Sequence, residues 1–205
     1  MRAPHTVALV LLLSIGGCTT DAIPAPRATK SAAINADKVG KPRKPGKSGT
    51  LVSLSNPQTV TYSIKFTSCH TKSKGELPDP KCTPGGIDPT VKQSNLSTTI
   101  CRKGGYTDTV RPPTSQTNKA KAMLYEAYGI DPDAKGELDH LVSLQLGGDN
   151  DVANLWPEIG PIPNPKDAIE THLHTAVCNG KTTLSAAQHA IAENWETAEH
   201  DLGLK

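Results

Sequence analysis

The segment Glu137–Glu158, ELDHLVSLQLGGDNDVANLWPE, combines the pattern of a small hairpin with residues that are costly to bury. Asp139 and His140 stand inside an apolar run of β-strand composition, and a Gly-Gly pair with polar residues after it is typical of a turn. An acid–histidine pair is unfavourable in an apolar core and useful in a catalytic or binding site. We therefore expect two short strands, 137–142 and 143–146, or one bent ribbon, with a site at the pair.

The sequence on the C-terminal side of this segment predicts two helices. Asn164 suits the capping position of the first helix, Pro165 its first helical position, and Gly180 the position just beyond its end. The last helix has apolar residues at helical spacing, which we expect to be buried: Leu184, Ala187, Ile191 and Trp195. Residues 137–178 are thus predicted to form a hairpin followed by a helix.

The part before the hairpin has mostly β-type patterns. Residues 58–66 (QTVTYSIKF) alternate and are rich in β-branched side chains, and residues 97–101 and 105–113 predict two further short strands. Residues 115–129 predict one helix, capped by Thr114 or Ser115. The predicted fold class is α+β. It is one globular domain, 58–205, with a small β-rich N-terminal part, one helix, a hairpin-helix core and a C-terminal helix.

The first 57 residues predict export. Residues 1–17 have the basic start and short apolar run of a signal peptide, too short to span a bilayer. The sequence IGGC ending at Cys18 resembles a bacterial lipobox, which implies a lipid anchor on that cysteine and a place in the cell envelope. A plain cleaved signal peptide and secretion are the alternative. Residues 18–57 are rich in Pro, Ala, Lys and Gly and predict a disordered basic linker.

The number of cysteines agrees with an exported chain. Without Cys18, four cysteines remain, and an even number in an exported protein predicts two disulfides. Of the three pairings we favour Cys69–Cys82, which closes a short loop, together with Cys101–Cys178.

The charge of the chain changes from basic to acidic along the sequence. Residues 27–47 hold seven Lys or Arg and one Asp, whereas residues 131–205 hold four Lys or Arg and thirteen Asp or Glu. A nucleic-acid partner would therefore contact the middle of the chain or the basic linker.

The hairpin segment resembles the HNH endonucleases, the ββα-metal nucleases, in their exported bacterial form. The resemblance runs from Glu137 to about Cys178, a fifth of the chain. Its motifs are Asp139-His140, Leu146-Gly147-Gly148, Asn154-Leu155 and Asn164. It implies a ββα core and hydrolysis of phosphodiester bonds in DNA or RNA.

The resemblance also implies roles for single residues. His140 would be the general base, and Asn154 would hold the loop that orients it. Asp139 and Asn164 would hold a divalent metal, and because both supply oxygen ligands, Mg²⁺ or Mn²⁺ is expected. Asn164 is equally well explained as a helix cap. On an ideal strand Asp139 and His140 point to opposite faces, so a shared site requires a bend or bulge.

Other polar residues are candidates for the border of this site. Those expected beside or behind it are Glu137, Asp167, Glu170 and His174. Candidate phosphate contacts are Lys166 and Arg111, the latter together with Lys119 and Lys121, although solvated positions explain each of these residues too. The predicted function is an exported, metal-dependent endonuclease anchored to a membrane through Cys18, with nucleic acid as its substrate and no protein partner evident. The alternative is a non-catalytic envelope lipoprotein that uses the same scaffold for structure or partner binding.

Overall fold

A computed structural model describes residues 51–53, 58–66 and 68–205. The predicted signal peptide, the lipidated Cys18 and almost all of the linker lie outside these residues. No helix in the described part of the chain is long and apolar enough to cross a membrane.

The domain begins earlier than the sequence predicted. Strand β1, Val52–Ser53, pairs in parallel with β2, Gly86–Ile87. The predicted linker, 18–57, therefore contains a strand, and its C-terminal boundary was wrong. Two residues are too few for a hydrophobic period, so only their pairing partner reveals this strand.

The predicted β-rich N-terminal part is also largely irregular. Residues 58–66 make a single β-bridge, between Thr61 and Asp151. The segments predicted as strands around 97–101 and 105–113 instead contain two short 3-10 helices, Gln93–Thr98 and Thr107–Thr109. Their threonines favour strands only where a neighbouring strand is available. Here threonine hydroxyls such as that of Thr109, which donates to the Tyr106 carbonyl at 2.6 Å, stabilise turns instead.

The first long helix, α1, spans Thr114–Ala127 and agrees with the predicted segment. Its N-cap is Pro113 rather than Thr114 or Ser115. The helix buries Ala120, Leu124 and Tyr125. Ala120 and Leu124 pack in one apolar cluster with Leu155 and Trp156, which fixes α1 against the central hairpin.

The hairpin pairs β3, Gly136–His140, with β4, Leu155–Ile159, in an antiparallel register that joins His140 to Leu155. The prediction that residues 143–146 form the second strand is therefore wrong. Those residues form a 3-10 turn, Leu144–Leu146, and a second 3-10 turn, Val152–Asn154, precedes β4. An apolar run of three or four residues fits a strand or a buried turn equally well, and periodicity does not separate the two.

Three helices complete the domain: α2, Pro165–Cys178; α3, Leu184–Asn194; and α4, Ala198–Asp201. The predicted cap and start of α2 are confirmed, and the predicted last helix is split between α3 and α4. The four residues expected to be buried, from Leu184 to Trp195, are all buried. They form a second apolar cluster with Leu173 and Val177 of α2 and with Val142 and Leu146 of the hairpin loop.

Two disulfides join the cysteines in the predicted pairs, Cys69–Cys82 and Cys101–Cys178. The second ties the segment before α1 to the end of α2, across 77 residues of sequence. The described part of the chain is thus a mixed helix and strand fold in which strand, loop, strand and helix follow one another between Gly136 and Cys178.

Candidate functional site

His140 is the last residue of β3, and its imidazole is held in one orientation. The side chain is buried, with 8% exposed, and Nε2 lies 2.8 Å from Oδ1 of Asn150. The amide of Asn150 donates in turn to the carbonyl of Val110 at 2.7 Å, which directs its oxygen toward the ring. Nε2 therefore carries the proton and donates it. Nδ1 keeps its lone pair, and no other described residue makes a hydrogen bond with it.

The environment of His140 keeps its ring neutral. Burial lowers the pKa of His140 to about 4, because the charged imidazolium loses its hydration. The hydrogen bond to Asn150 and the charge of Asp139 oppose this shift, whereas Arg111 and Lys166 add to it. The ring is accordingly neutral throughout the neutral pH range, and the lone pair of Nδ1 carries no proton there.

His140 opens onto a cleft of about 250 Å³ between the hairpin and the start of α1. The cleft is lined by a cationic pair, Arg111 and Lys121, and by hydroxyl and amide side chains, Thr114, Thr117 and Asn118. The Lys121 ammonium donates to the carbonyl of Gly136 at 3.0 Å and lies 5.0 Å from the centre of the Tyr125 ring. Glu137 lines the cleft as well, so the cleft combines an imidazole, two cations, one carboxyl group and neutral hydrogen-bonding groups.

Asn154 fastens the loop between the two strands. It is fully buried, and Oδ1 accepts from the backbone N–H groups of Gly86 at 3.0 Å and Val142 at 2.8 Å. Its Nδ2 donates to the carbonyls of Val142 at 3.0 Å and Asp149 at 2.9 Å. All four hydrogen-bonding positions of the amide are used, so Asn154 holds the loop that carries Asn150.

The Gly-Gly pair of the motif makes this packing possible. Gly147 has a φ of 71°, which a glycine adopts without strain. At Gly148 a Cβ would lie 1.7 Å from the carbonyl oxygen of Val142 and 3.0 Å from Nδ2 of Asn154. A side chain at Gly148 would therefore displace the contacts that Asn154 makes.

Asp139 faces α2 and binds a buried lysine. Its Oδ2 accepts from the Lys166 ammonium at 2.7 Å. The same ammonium donates to the carbonyl of His140 at 2.9 Å and to Oε1 of Glu170 at 2.5 Å. Lys166 is 1% exposed, and all three of its protons are used. The predicted phosphate contact at Lys166 is therefore wrong, because the ammonium does not reach the surface.

Two more carboxyl groups lie around this ion cluster. Glu137 and Glu158 are directly opposite in the β3–β4 register, and Glu158 is buried with 4% exposed. Burial raises the pKa of Glu158 to about 8, and the charge of Asp139 adds to the shift while Lys166 opposes it. Burial likewise raises the pKa of Glu170, against the attraction of Lys166. Glu158 is therefore largely protonated at neutral pH, which limits the negative charge of the cluster.

The predicted metal ligands do not fit a divalent cation. Oδ1 of Asn164 accepts from the backbone N–H of Lys166 at 3.0 Å, and Asp167 bonds back to the N–H of Asn164 at 3.0 Å. Asn164 and Asp167 thus form a capping box for α2. Since the oxygen of Asn164 serves the cap and Asp139 binds Lys166, the prediction that this pair holds Mg²⁺ or Mn²⁺ is not supported by the donor set.

The predicted bend between Asp139 and His140 is absent. The register between β3 and β4 continues without a bulge through His140, which is paired with Leu155. Asp139 contacts Lys166 of α2, whereas His140 lies on the side of Arg111 and α1. The two residues therefore belong to different faces of the hairpin, an ion cluster on one and a cleft on the other.

One cluster in the described residues brings together three side chains of metal-binding types. Ligand atoms of Cys101, His174 and Cys178 lie within 4.8 Å of one another. Both sulfur atoms belong to the disulfide, and Nε2 of His174 lies 2.9 Å from the carbonyl of Ile100. His174 was expected beside the site at His140. It lies instead against the disulfide at the far end of α2, so it plays no part in the cleft.

Sequence reasoning missed two residues of the site. Asn150 and Glu158 are known as site residues only from the folded structure, because Asn150 had the appearance of a turn residue and Glu158 follows an apolar run.

Comparison with known proteins gives no support from relatives. No family model matches the chain, and no curated protein and no solved structure is significantly similar to it.

Proposed function

We propose that this protein hydrolyses phosphodiester bonds in nucleic acid, with His140 as the general base. The observation that carries the proposal is an oriented, neutral imidazole at a cleft with two cationic side chains. Nε2 is fixed by Asn150, so Nδ1 is the atom that accepts a proton. Arg111 and Lys121 provide the positive charge that a phosphate requires.

The reaction begins with a water molecule held between Nδ1 of His140 and the phosphorus atom. Nδ1 takes a proton from this water as its oxygen attacks phosphorus, and the bond to the leaving oxygen breaks on the opposite side. The leaving oxygen takes a proton from solvent, and His140 returns its proton to solvent. Arg111 and Lys121 stabilise the negative charge that increases on the phosphoryl oxygens.

This proposal uses no step through a metal ion, because Asp139 and Asn164 do not present a free oxygen pair. The expected Mg²⁺ or Mn²⁺ is tested directly by adding each ion, or EDTA, to the assay. Export, the lipid anchor on Cys18 and attachment to the cell envelope remain proposals that rest on the first residues of the sequence.

The first experiment measures cleavage of end-labelled single-stranded and double-stranded DNA and RNA by the full-length chain, produced under oxidising conditions. We expect His140→Ala to lose about 100-fold or more in rate, because general base catalysis contributes that much. His200→Ala is the matched control, since His200 is exposed on α4. If both variants cleave like the wild type, or if no substrate is cleaved by the folded protein, the proposal is wrong.

The pH dependence offers an independent check on the base. Only neutral His140 accepts a proton, so kcat/KM should fall as the pH drops through about 4, the pKa of His140 in the free protein. A bound phosphate stabilises the imidazolium and raises this pKa, so kcat should begin to fall at a higher pH than kcat/KM. Identical acid limbs in the two profiles would contradict a base that lies next to the phosphate.

A second function is favoured by the straight β3 strand and by the buried ion pair of Asp139 with Lys166. These features suit a non-catalytic envelope module that binds a polyanion in the same cleft. Such a module would bind labelled nucleic acid without cleaving it. Binding would weaken in Arg111→Glu, and His140→Ala would leave binding unchanged. Measuring binding and cleavage on the same samples distinguishes the two functions.

A further inference from the structure

The buried ammonium of Lys166 has the surroundings of a coordinated cation. Three oxygen atoms lie 2.5 to 2.9 Å from Nζ: Oδ2 of Asp139, Oε1 of Glu170 and the carbonyl oxygen of His140. These three atoms form an oxygen cage around the ammonium. Glu170 is itself fixed by the hydroxyl of Ser143, which donates to Oε2 at 2.7 Å. The cage therefore links the end of β3 to the first two turns of α2.

We propose that the Lys166 ammonium takes the place of a divalent cation in this protein. It fills the oxygen cage, so the wild-type chain binds no divalent cation at Asp139, and removing the ammonium creates a cation site. The charges support this assignment. Lys166 is 1% exposed and lies between the carboxylates of Asp139 and Glu170, so the site is built to hold one positive centre away from water.

The ligands of the cage indicate which ion would replace the ammonium. The distances from Nζ are those of charge-assisted hydrogen bonds, so they do not select an ion. Mg²⁺ requires near-octahedral geometry and keeps several waters, whereas Ca²⁺ accepts two carboxylates with a carbonyl in a flexible geometry. Ca²⁺ is therefore the probe ion, with water completing its coordination.

The experiment is a calorimetric titration of Ca²⁺, repeated with Mn²⁺, into three folded forms of the full-length chain. The wild type should bind neither ion at this site. Lys166→Ala, which empties the cage and removes the positive charge, should bind one Ca²⁺ at least tenfold more tightly than the wild type. Lys166→Met removes the charge but fills the space with an apolar chain, so it should bind none. Asp139→Asn added to Lys166→Ala should abolish the new site.

Three results would overturn the proposal. The first is stoichiometric binding of Ca²⁺ or Mn²⁺ by the wild type that is lost in Asp139→Asn, because the ion would then coexist with the ammonium. The second is a folded Lys166→Ala variant that binds no ion. The third is a Lys166→Ala variant that fails to fold with Ca²⁺ as well as without it. A variant that folds only with Ca²⁺, followed by circular dichroism, would support the proposal. None of these measurements depends on cleavage of nucleic acid.

Discussion

Replacing Asn154 by leucine should unfold the hairpin loop at a large cost in stability. Leucine has the same number of heavy side-chain atoms as asparagine and is bulkier, so it leaves no room for water, yet it offers no hydrogen bond. The variant would leave four buried backbone groups without a partner: the N–H groups of Gly86 and Val142 and the carbonyls of Val142 and Asp149. With about 1–3 kcal/mol for each buried group left without a partner, the free energy of unfolding should fall by about 4 kcal/mol or more.

Urea denaturation of the full-length chain, followed by tryptophan fluorescence, measures this loss. Trp156 is fully buried next to the loop, so its emission reports the transition. Asn179→Ala is the control. Asn179 is exposed at the end of α2, and its replacement should change the free energy of unfolding by less than about 0.5 kcal/mol. A loss of less than about 1 kcal/mol in Asn154→Leu would refute the claim that this amide holds the loop.

Two further predictions concern stability. The raised pKa of Glu158 means that the folded chain binds one more proton than the unfolded chain between pH 4.5 and about 8, so the free energy of unfolding should fall as the pH rises, by up to about 1.4 kcal/mol per pH unit. Below pH 6.5 the lowered pKa of His140 opposes this slope. Between pH 6.5 and 8, Glu158→Gln should flatten the curve of unfolding free energy against pH, and an unchanged slope would contradict the raised pKa. Replacing both cysteines of Cys101–Cys178 by serine should lower the free energy of unfolding by about 4.5 kcal/mol, against about 3 kcal/mol for Cys69–Cys82, because the first disulfide closes a loop of 77 residues and the second a loop of 13. Equal midpoints of thermal unfolding for the two double variants would contradict this order.

Several elements were predictable because their signals are local. The cap and first residue of α2, the extent of α1 and the burial of the apolar residues of α3 all follow from spacing and capping within one turn. The disulfide pairs were predicted from parity and loop length. The second strand of the hairpin and the strands before α1 were wrong, because a strand depends on a partner that is distant in sequence.

In the candidate site, too, the local features were predictable and the contacts between distant residues were not. The sequence placed Asp139, His140 and Asn154 in one short segment, and it marked Gly147-Gly148 as a turn. It did not reveal that β3 stays straight. Because it does, Asp139 contacts α2, whereas His140 lines the cleft beside α1. Because successive side chains of a strand alternate between faces, two neighbours in sequence contact different halves of the domain.

The sequence by itself determined which chemical groups are available: an imidazole, a buried amide, a set of carboxylates and a lysine on the first turn of α2. Only the tertiary structure decided how they are paired. It placed the Lys166 ammonium between Asp139 and Glu170, and it fixed the His140 ring through Asn150. The physical reason is that hydrogen bonds and ion pairs act over about 3 Å, whereas the residues that they join are separated by 4 to 27 positions along the chain.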